Sequence, residues 1–389
     1  YILQSLLSFV PISSRNLHSY NSKNRVNMPS QLKVLHVITS LRTGGAEHLM
    51  VDLLPRLRER GLVVELAVLD GTQTDFYSAL EALGIRIYVL GMGVRAMHSP
   101  RCIPALRRLM RQFDVIHTHN TPCQFFVAIA SVGMKQAPKL VTTEHNTTNT
   151  RRNIPWLRRL DSWMYSRYTE IIGVSQSTTQ ALIDYLPQLP HCLTINNGIV
   201  VTKFQEALPA NDIIEQYSQY KRLVMAAAFR AQKDHETVIR ALHLLPNNYH
   251  LFLAGDGERR TMVEDFVEKE QLSQRVHFLG NRKDVDAVLK AANIVVMSSR
   301  YEGLSLSSLE GLASGRPVVA SDVPGLREIV GDAGILFLKG DAQALAKTIL
   351  DLEENATLCQ QTIEKGLQRA RQYDISTMIE AYWQVYQNL

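Results

Sequence analysis

The chain has 389 residues, of which 46% are hydrophobic, 20% charged and 7% aromatic. This usage excludes a disordered, collagen-like or disulfide-scaffold protein, and the length predicts two or three domains. The formal charge of +5 is unevenly spread: residues 1–30 hold three Lys/Arg and no acids, residues 31–200 hold 18 basic against 12 acidic, and residues 201–389 hold 21 against 25.

Blocks of +3, +6 and −4 are too mild for a nucleic-acid partner, but leave an anionic membrane surface or a phosphorylated substrate open to the first half. Cys102, Cys123, Cys192 and Cys359 carry no C-x-x-C or metal-like spacing and suit a reducing cytoplasm. No apolar run reaches the roughly 18 residues of a spanning helix, so the expected place is the cytoplasm or the cytoplasmic membrane face. Residues 1–30, which do not begin with Met, read as an upstream extension or a mis-set start.

From Leu32 onward, short β-rich runs alternate with helical stretches. The predicted strands of the first half are 33–38, 62–69, 85–90, 114–119, 139–144, 170–175 and 192–197, with helices at about 45–60, 74–83, 101–112, 155–168 and 176–186. A second series, 222–228, 249–255, 275–280, 293–299, 317–321 and 334–338, ends in helices near 341–353, 356–372 and 375–386. Nearly continuous apolar strands between helices predict an α/β protein of two doubly wound, Rossmann-like domains. The expected boundaries are 31–197 and 198–374, with 375–389 packing back on the first domain and Asn197-Gly198 as the hinge. In such sheets ligands sit beyond the carboxyl ends of strands.

The most specific segment is Ser299-Arg-Tyr-Glu-Gly-Leu-Ser-Leu-Ser-Ser-Leu-Glu-Gly311, which leaves a strand, turns at Gly303 and enters a helix. The helix N-terminus offers unpaired N–H groups to a phosphate, and Glu310 lies where a carboxylate can accept from a pair of sugar hydroxyls. Leu41-Arg-Thr-Gly-Gly-Ala-Glu47 is a glycine-rich turn after the first strand. Asp114-Val-Ile-His-Thr-His119 puts His117 and His119 on one strand face; with no third ligand near in sequence, a zinc site is not expected. Asp284-Val-Asp286 reads as a helix start with Asp284 as N-cap, not as a metal motif.

Glu302 and Glu310, separated by seven residues between flanking glycines, resemble the hallmark of family 4 of the retaining nucleotide-sugar glycosyltransferases, and the resemblance runs from Leu35 to Tyr386. It implies the GT-B fold, a metal-independent reaction, and transfer of a hexose from a nucleotide diphosphate, UDP ahead of GDP, to a glycan or lipid-linked acceptor. Carried over, Glu302 contacts the donor sugar, Glu310 the ribose, and His119 the hexose. Gly44, Gly45, Gly303, Leu304 and Ser305 lie along the donor, and Gly255, Asn281 and Arg282 line the base. Glu144 and His145 are expected side by side in the cleft, toward the acceptor.

Lys233 matches the family lysine beside the diphosphate, whereas the family arginine position five residues earlier is Ala228, leaving Arg230 as the available cation. That displacement is the one feature favouring an alternative, a catalytically inactive sugar-nucleotide-binding subunit. Arg101, Arg107, Arg108, Arg111, Arg151, Arg152, Arg158, Arg159 and Arg167, interleaved with Trp156, Trp163, Tyr165 and Tyr168, suit anionic lipid headgroups or a lipid-diphosphate acceptor.

Overall fold

The computed structural model describes residues 31–42, 44–147, 154, 156–189 and 191–389. The expectations for residues 1–30, Arg151 and Arg152 lie outside the described residues. The first sheet holds β1 (Lys33–Ile38), β2 (Val63–Val68), β3 (Ile87–Val89), β4 (Val115–His119), β5 (Lys139–Glu144), β6 (Glu170–Gly173) and β7 (Cys192–Thr194), in the order β3-β2-β1-β4-β5-β6-β7. The second holds β8 (Lys221–Ala226), β9 (Tyr249–Ala254), β10 (Val276–Gly280), β11 (Ile294–Met297), β12 (Val318–Ser321) and β13 (Ile335–Phe337), in the order β10-β9-β8-β11-β12-β13.

All strand pairs are parallel. β4 and β9 are buried along their whole length, because helices cover both faces of each sheet, and this is why the strands read as unbroken apolar runs. Both orders reverse direction beside their first strand, between β1 and β4 and between β8 and β11. Loops leaving the carboxyl ends of these neighbours splay apart and open a crevice at each switch point.

Of the strand ends that fall short of the sequence reading, two bear on how the chain reaches the site. The chain leaves β7 after Thr194 to cross toward the second sheet, and it leaves β8 after Ala226 so that Ala227–Phe229 can pack under Gly255 and Gly257. At Gly255 (φ +143°) a Cβ would overlap the Ala227 carbonyl, and at Gly257 it would press on Phe229. Only glycine satisfies both the conformation and the contact.

The chain crosses between the sheets twice, side by side. Ile199 N–H donates to the Tyr373 carbonyl (3.0 Å) and Ile375 N–H to the Ile199 carbonyl (2.8 Å). A Cβ on Gly198 would lie 2.9 Å from Ile375 Cα, so the Asn-Gly step permits a close backbone crossing. The helix Ile375–Gln387 then lies against the first sheet, where Ile375, Met378, Ile379, Tyr382 and Tyr386 share a core with Val34, Ile38, Leu53, Val115 and Val141.

Candidate active site

Four loops from the two switch points build the site. In the second sheet, the loop after β8 and the loop after β11 are zipped together: Asp234 N–H donates to the Ser298 carbonyl (3.0 Å) and Arg300 N–H to the Gln232 carbonyl (2.8 Å). This pairing brings Lys233 onto Glu302, where ammonium and carboxylate form an ion pair. Glu302 also accepts from Gln232 Nε2 and Ser299 Oγ, each at 2.8 Å. Only 13% of the Lys233 side chain and 6% of the Glu302 side chain are exposed, so the pair is shielded from water and its charges act at short range.

Glu302-Gly303 is held from below by Gly325, whose missing side chain lets the backbone of the helix Pro324–Val330 lie against the Gly303 carbonyl. No sequence feature pointed to Gly325. The chain then enters the helix Leu306–Ala313, whose first turn has no side-chain cap. The Ser305 hydroxyl at its N-cap is buried without a hydrogen-bond partner among the described residues. Such an end carries partial positive charge and free donors.

Glu310, half-buried one turn further on, has its carboxyl pushed up to about 7 by desolvation, with Lys203 pulling it down and Asp52 and Asp286 adding to the rise. Asp52 belongs to the first sheet's helix Gly45–Glu59, so the two halves feel each other here.

Facing this end is the start of that helix. Gly44 and Gly45 open it, and a Cβ on Gly45 would meet nothing within 4 Å. Burial raises the Glu47 carboxyl above its usual range while the exposed Arg230 guanidinium draws it back. Arg230 is therefore within electrostatic range of Glu47, in the first turn of the helix that the glycines open. Between the halves lies a cavity of about 220 Å³ lined by Gly45, Glu47, Asn120, His145, Asn197 and Leu304, among others. Glu144 is not in it: its carboxylate accepts from Tyr165 OH (2.5 Å) and Gln124 on the other face of the sheet, as strand alternation requires. Arg282 is bound by Asp212 and Asp284, at 2.7 Å each, so its guanidinium is already engaged within the protein. Asp284 spends its carboxylate on Arg282 and makes no side-chain cap.

The histidines differ most from expectation. β1 pairs with β4 in a register that sets His36 opposite His117, supplying the third imidazole that sequence order concealed. His36, His117 and His119 are fully buried and close enough to one another to hold a metal ion, but all six ring nitrogens are already engaged in hydrogen bonds. His119 bonds His36 (3.0 Å) and His145 (3.2 Å), His36 and His117 both bond Tyr386 OH (3.3 and 2.5 Å), and His117 also bonds Thr143 Oγ1 (2.7 Å). Desolvation lowers all four imidazoles, His36 to about 3 and His145 to about 4, and so they are neutral near pH 7.

Of the arginine surface, Arg107 is spent on the Val132 carbonyl (2.6 Å), and Tyr165 and Tyr168 are core residues. Trp156 (70% exposed), Leu160 (41%) and Trp163 (38%) instead form a bare stripe along the helix Leu157–Tyr165, beside the exposed Arg158, Arg159 and Arg167. Among the described residues, no helix is long and apolar enough to cross a membrane.

Residues 43–203 match the domain described as Glycosyltransferase Family 4, and residues 210–369 the domain described as Glycosyl transferases group 1. EpsD of Bacillus subtilis, named as a glycosyltransferase, is 31% identical over 322 residues, 75% of this chain and 82% of that protein. The phosphatidyl-myo-inositol mannosyltransferase of Mycobacterium leprae is 24% identical over 365 residues, 89% of this chain and 93% of that protein. The structure of Anabaena HepE in complex with UDP-glucose superimposes with a TM-score of 0.81 over 92% of this chain and all of that chain, at 21% identity. The chain is a member of glycosyltransferase family 4, built on the GT-B fold.

Proposed function

We propose that the protein transfers a hexose from a UDP-sugar to a hydroxyl of a lipid-linked or glycan acceptor, with retention of anomeric configuration and without a metal ion. The observation that carries this is the convergence, in one cleft, of an uncapped helix N-terminus with the buried Ser305 hydroxyl, the Lys233–Glu302 pair and the glycine-opened helix whose Glu47 lies within electrostatic range of Arg230. The diphosphate takes the helix end and Lys233, whose charges strengthen on it as the sugar–phosphate bond breaks. Arg230, from its shifted position, supplies the second cation. With Lys233, Arg230 and the helix end all positive, charge neutralisation needs no divalent ion.

His119 acts in this scheme on the hexose side through His145, which lines the cavity. That HepE was solved with UDP-glucose supports uridine as the base, and the mannosyltransferase's name supports a lipid acceptor. Nucleotide release is to be measured with UDP- and GDP-sugars, alone and with membrane extract. UDP release that depends on extract and persists in EDTA is expected; equal slow release by wild type and Glu302→Ala in every condition refutes the proposal.

Glu310 gives a pH signature. Its carboxyl is raised from 4.5 to about 7, so the folded state holds a proton that the unfolded state gives up, and the stability it contributes is present below pH 4.5 and lost as pH rises to about 7. A carboxylate that accepts from ribose hydroxyls binds best ionised. UDP affinity is therefore expected to rise more steeply between pH 6 and 8 in wild type than in Glu310→Gln, where only the phosphate of UDP still titrates, as read by calorimetry.

The stripe Trp156, Leu160 and Trp163 beside three arginines supports docking on an anionic membrane face, with indoles at headgroup depth. Binding to phosphatidylglycerol vesicles is expected to weaken with salt and to fall by about 1 kcal/mol for each arginine removed in Arg158→Ala/Arg159→Ala. Salt-insensitive binding refutes this surface.

A further inference from the structure

The buried histidines are links in one unbroken chain of hydrogen bonds. From the cavity inward it runs His145 Nε2 to His119 Nδ1 (3.2 Å), His119 Nε2 to His36 Nδ1 (3.0 Å) and His36 Nε2 to Tyr386 OH (3.3 Å). It continues from Tyr386 OH to His117 Nδ1 (2.5 Å), His117 Nε2 to Thr143 Oγ1 (2.7 Å) and Thr143 Oγ1 to Tyr382 OH (3.3 Å). The chain joins β1, β4 and β5 to the helix Ile375–Gln387, which follows the second sheet in sequence.

A neutral imidazole donates from one nitrogen and accepts at the other. Among the described residues the Tyr386 and Thr143 hydroxyls bond only their two neighbours in the line, so each must accept from one and donate to the other or leave its proton unbonded, and a line that passes through both nitrogens of three rings then points the same way throughout. The buried end decides which way. Tyr382 OH bonds only Thr143 among the described residues, so a chain pointing toward it would strand the phenol proton in the core, at the cost of an unmade bond. Pointing away from Tyr382, every proton along the line has an acceptor. His117, His36 and His119 then carry their protons on Nδ1, and His145 Nε2 becomes an acceptor. Nδ1–H of His145 is left as a donor.

We propose that Tyr382 and Tyr386 are positioning residues that set the tautomer of His145, so that its Nδ1–H is offered in the transfer cavity to a substrate oxygen. Burial keeps both phenols protonated, Tyr382 raised to about 12 and Tyr386 well above its usual value, and keeps the four imidazoles neutral. The directional line can therefore persist near neutral pH. The inference rests on the cavity being the transfer site, but its first test needs no turnover.

Long-range 1H–15N NMR of protein labelled with 15N-histidine reads each ring's tautomer, with His145 assigned by a His145→Gln variant. In wild type, His119 and His145 are expected as Nδ1–H forms. Tyr386→Phe cuts the line in the middle, and His145 is expected to average between tautomers, with kcat lower by about tenfold and donor KM within about twofold. Tyr382→Phe removes the starting proton, which releases the direction, and His145 is expected to gain the Nε2–H form; this variant carries the test if Tyr386→Phe does not fold. An Nε2–H tautomer of His145 in wild type, or tautomers unchanged in both variants, overturns the proposal. If the tautomers are as expected but no sugar nucleotide is turned over, the transfer reading fails and the directional chain stands.

Discussion

In a Lys233→Met variant, turnover is expected to fall by about a hundred- to a thousandfold while affinity for UDP falls far less. Charge on the departing diphosphate grows as the glycosidic bond breaks, so a fixed ammonium stabilises the transition state more than the bound donor. The zipped loops after β8 and β11 hold Lys233 where the proposed reaction needs it, shielded enough to act at short range. The same substitution leaves Glu302 buried with one cationic partner removed, a change that costs about 3–5 kcal/mol of stability. A double variant, Lys233→Met/Glu302→Gln, read against Glu302→Gln alone, separates the two effects. Its melting temperature should recover most of the loss, since no charge is left unpaired, while its turnover stays low. Recovery of turnover with stability would assign Lys233 a structural role only.

Gly325→Ala is expected to remove activity through the backbone. The added methyl would overlap the Gly303 carbonyl and lie 2.7 Å from that of Glu302, and neither main chain can yield as a side chain can. The Glu302-Gly303 turn must move, carrying the carboxylate off Lys233 and the first turn of the helix Leu306–Ala313 off its line. A shift of about 1 Å in such a group costs on the order of a hundredfold in rate, and the overpacking costs about 1–3 kcal/mol in stability. Gly45→Ala is the matched control: a methyl there meets nothing within 4 Å, so the melting temperature should not change, and any loss of rate reports on the approach of the donor itself. Thermal melts and single-turnover assays on both variants check this.

The strands and most helices were legible in the sequence because each was an apolar run or an amphipathic stretch closed by glycine or polar residues. Lys233, Glu302 and Glu310 stood out as candidates through their motif and their place after strands, and the structure pairs the first two. What escaped were relations across strand order. Nothing in Lys33–Ile38 says that its neighbour will be β4, some 80 residues on, so His36 read as an ordinary strand residue until the register set it against His117. Gly325 escaped for the same reason, since the carbonyls it accommodates belong to another loop. Glu144 could have been placed from alternation alone: Thr142 and Glu144 share one face and Thr143 the other. The arginine-rich helices were visible as composition, but only burial separates Trp156 and Trp163, which are bare, from Tyr165 and Tyr168, which are not.

The helix Ile375–Gln387 has a consequence for the order in which the molecule is made. It supplies five buried residues to the core of the first sheet, and Tyr386 bonds His36 across 350 positions of sequence. The second sheet contains all its strands within Lys221–Phe337 and completes its core with residues up to Ala370, all of which precede Ile375. The first sheet, though made earlier, keeps part of one apolar face and a row of histidines uncovered until this helix arrives. On the ribosome the half that is translated first is thus completed last, and its open face is where a chaperone should be found on stalled chains.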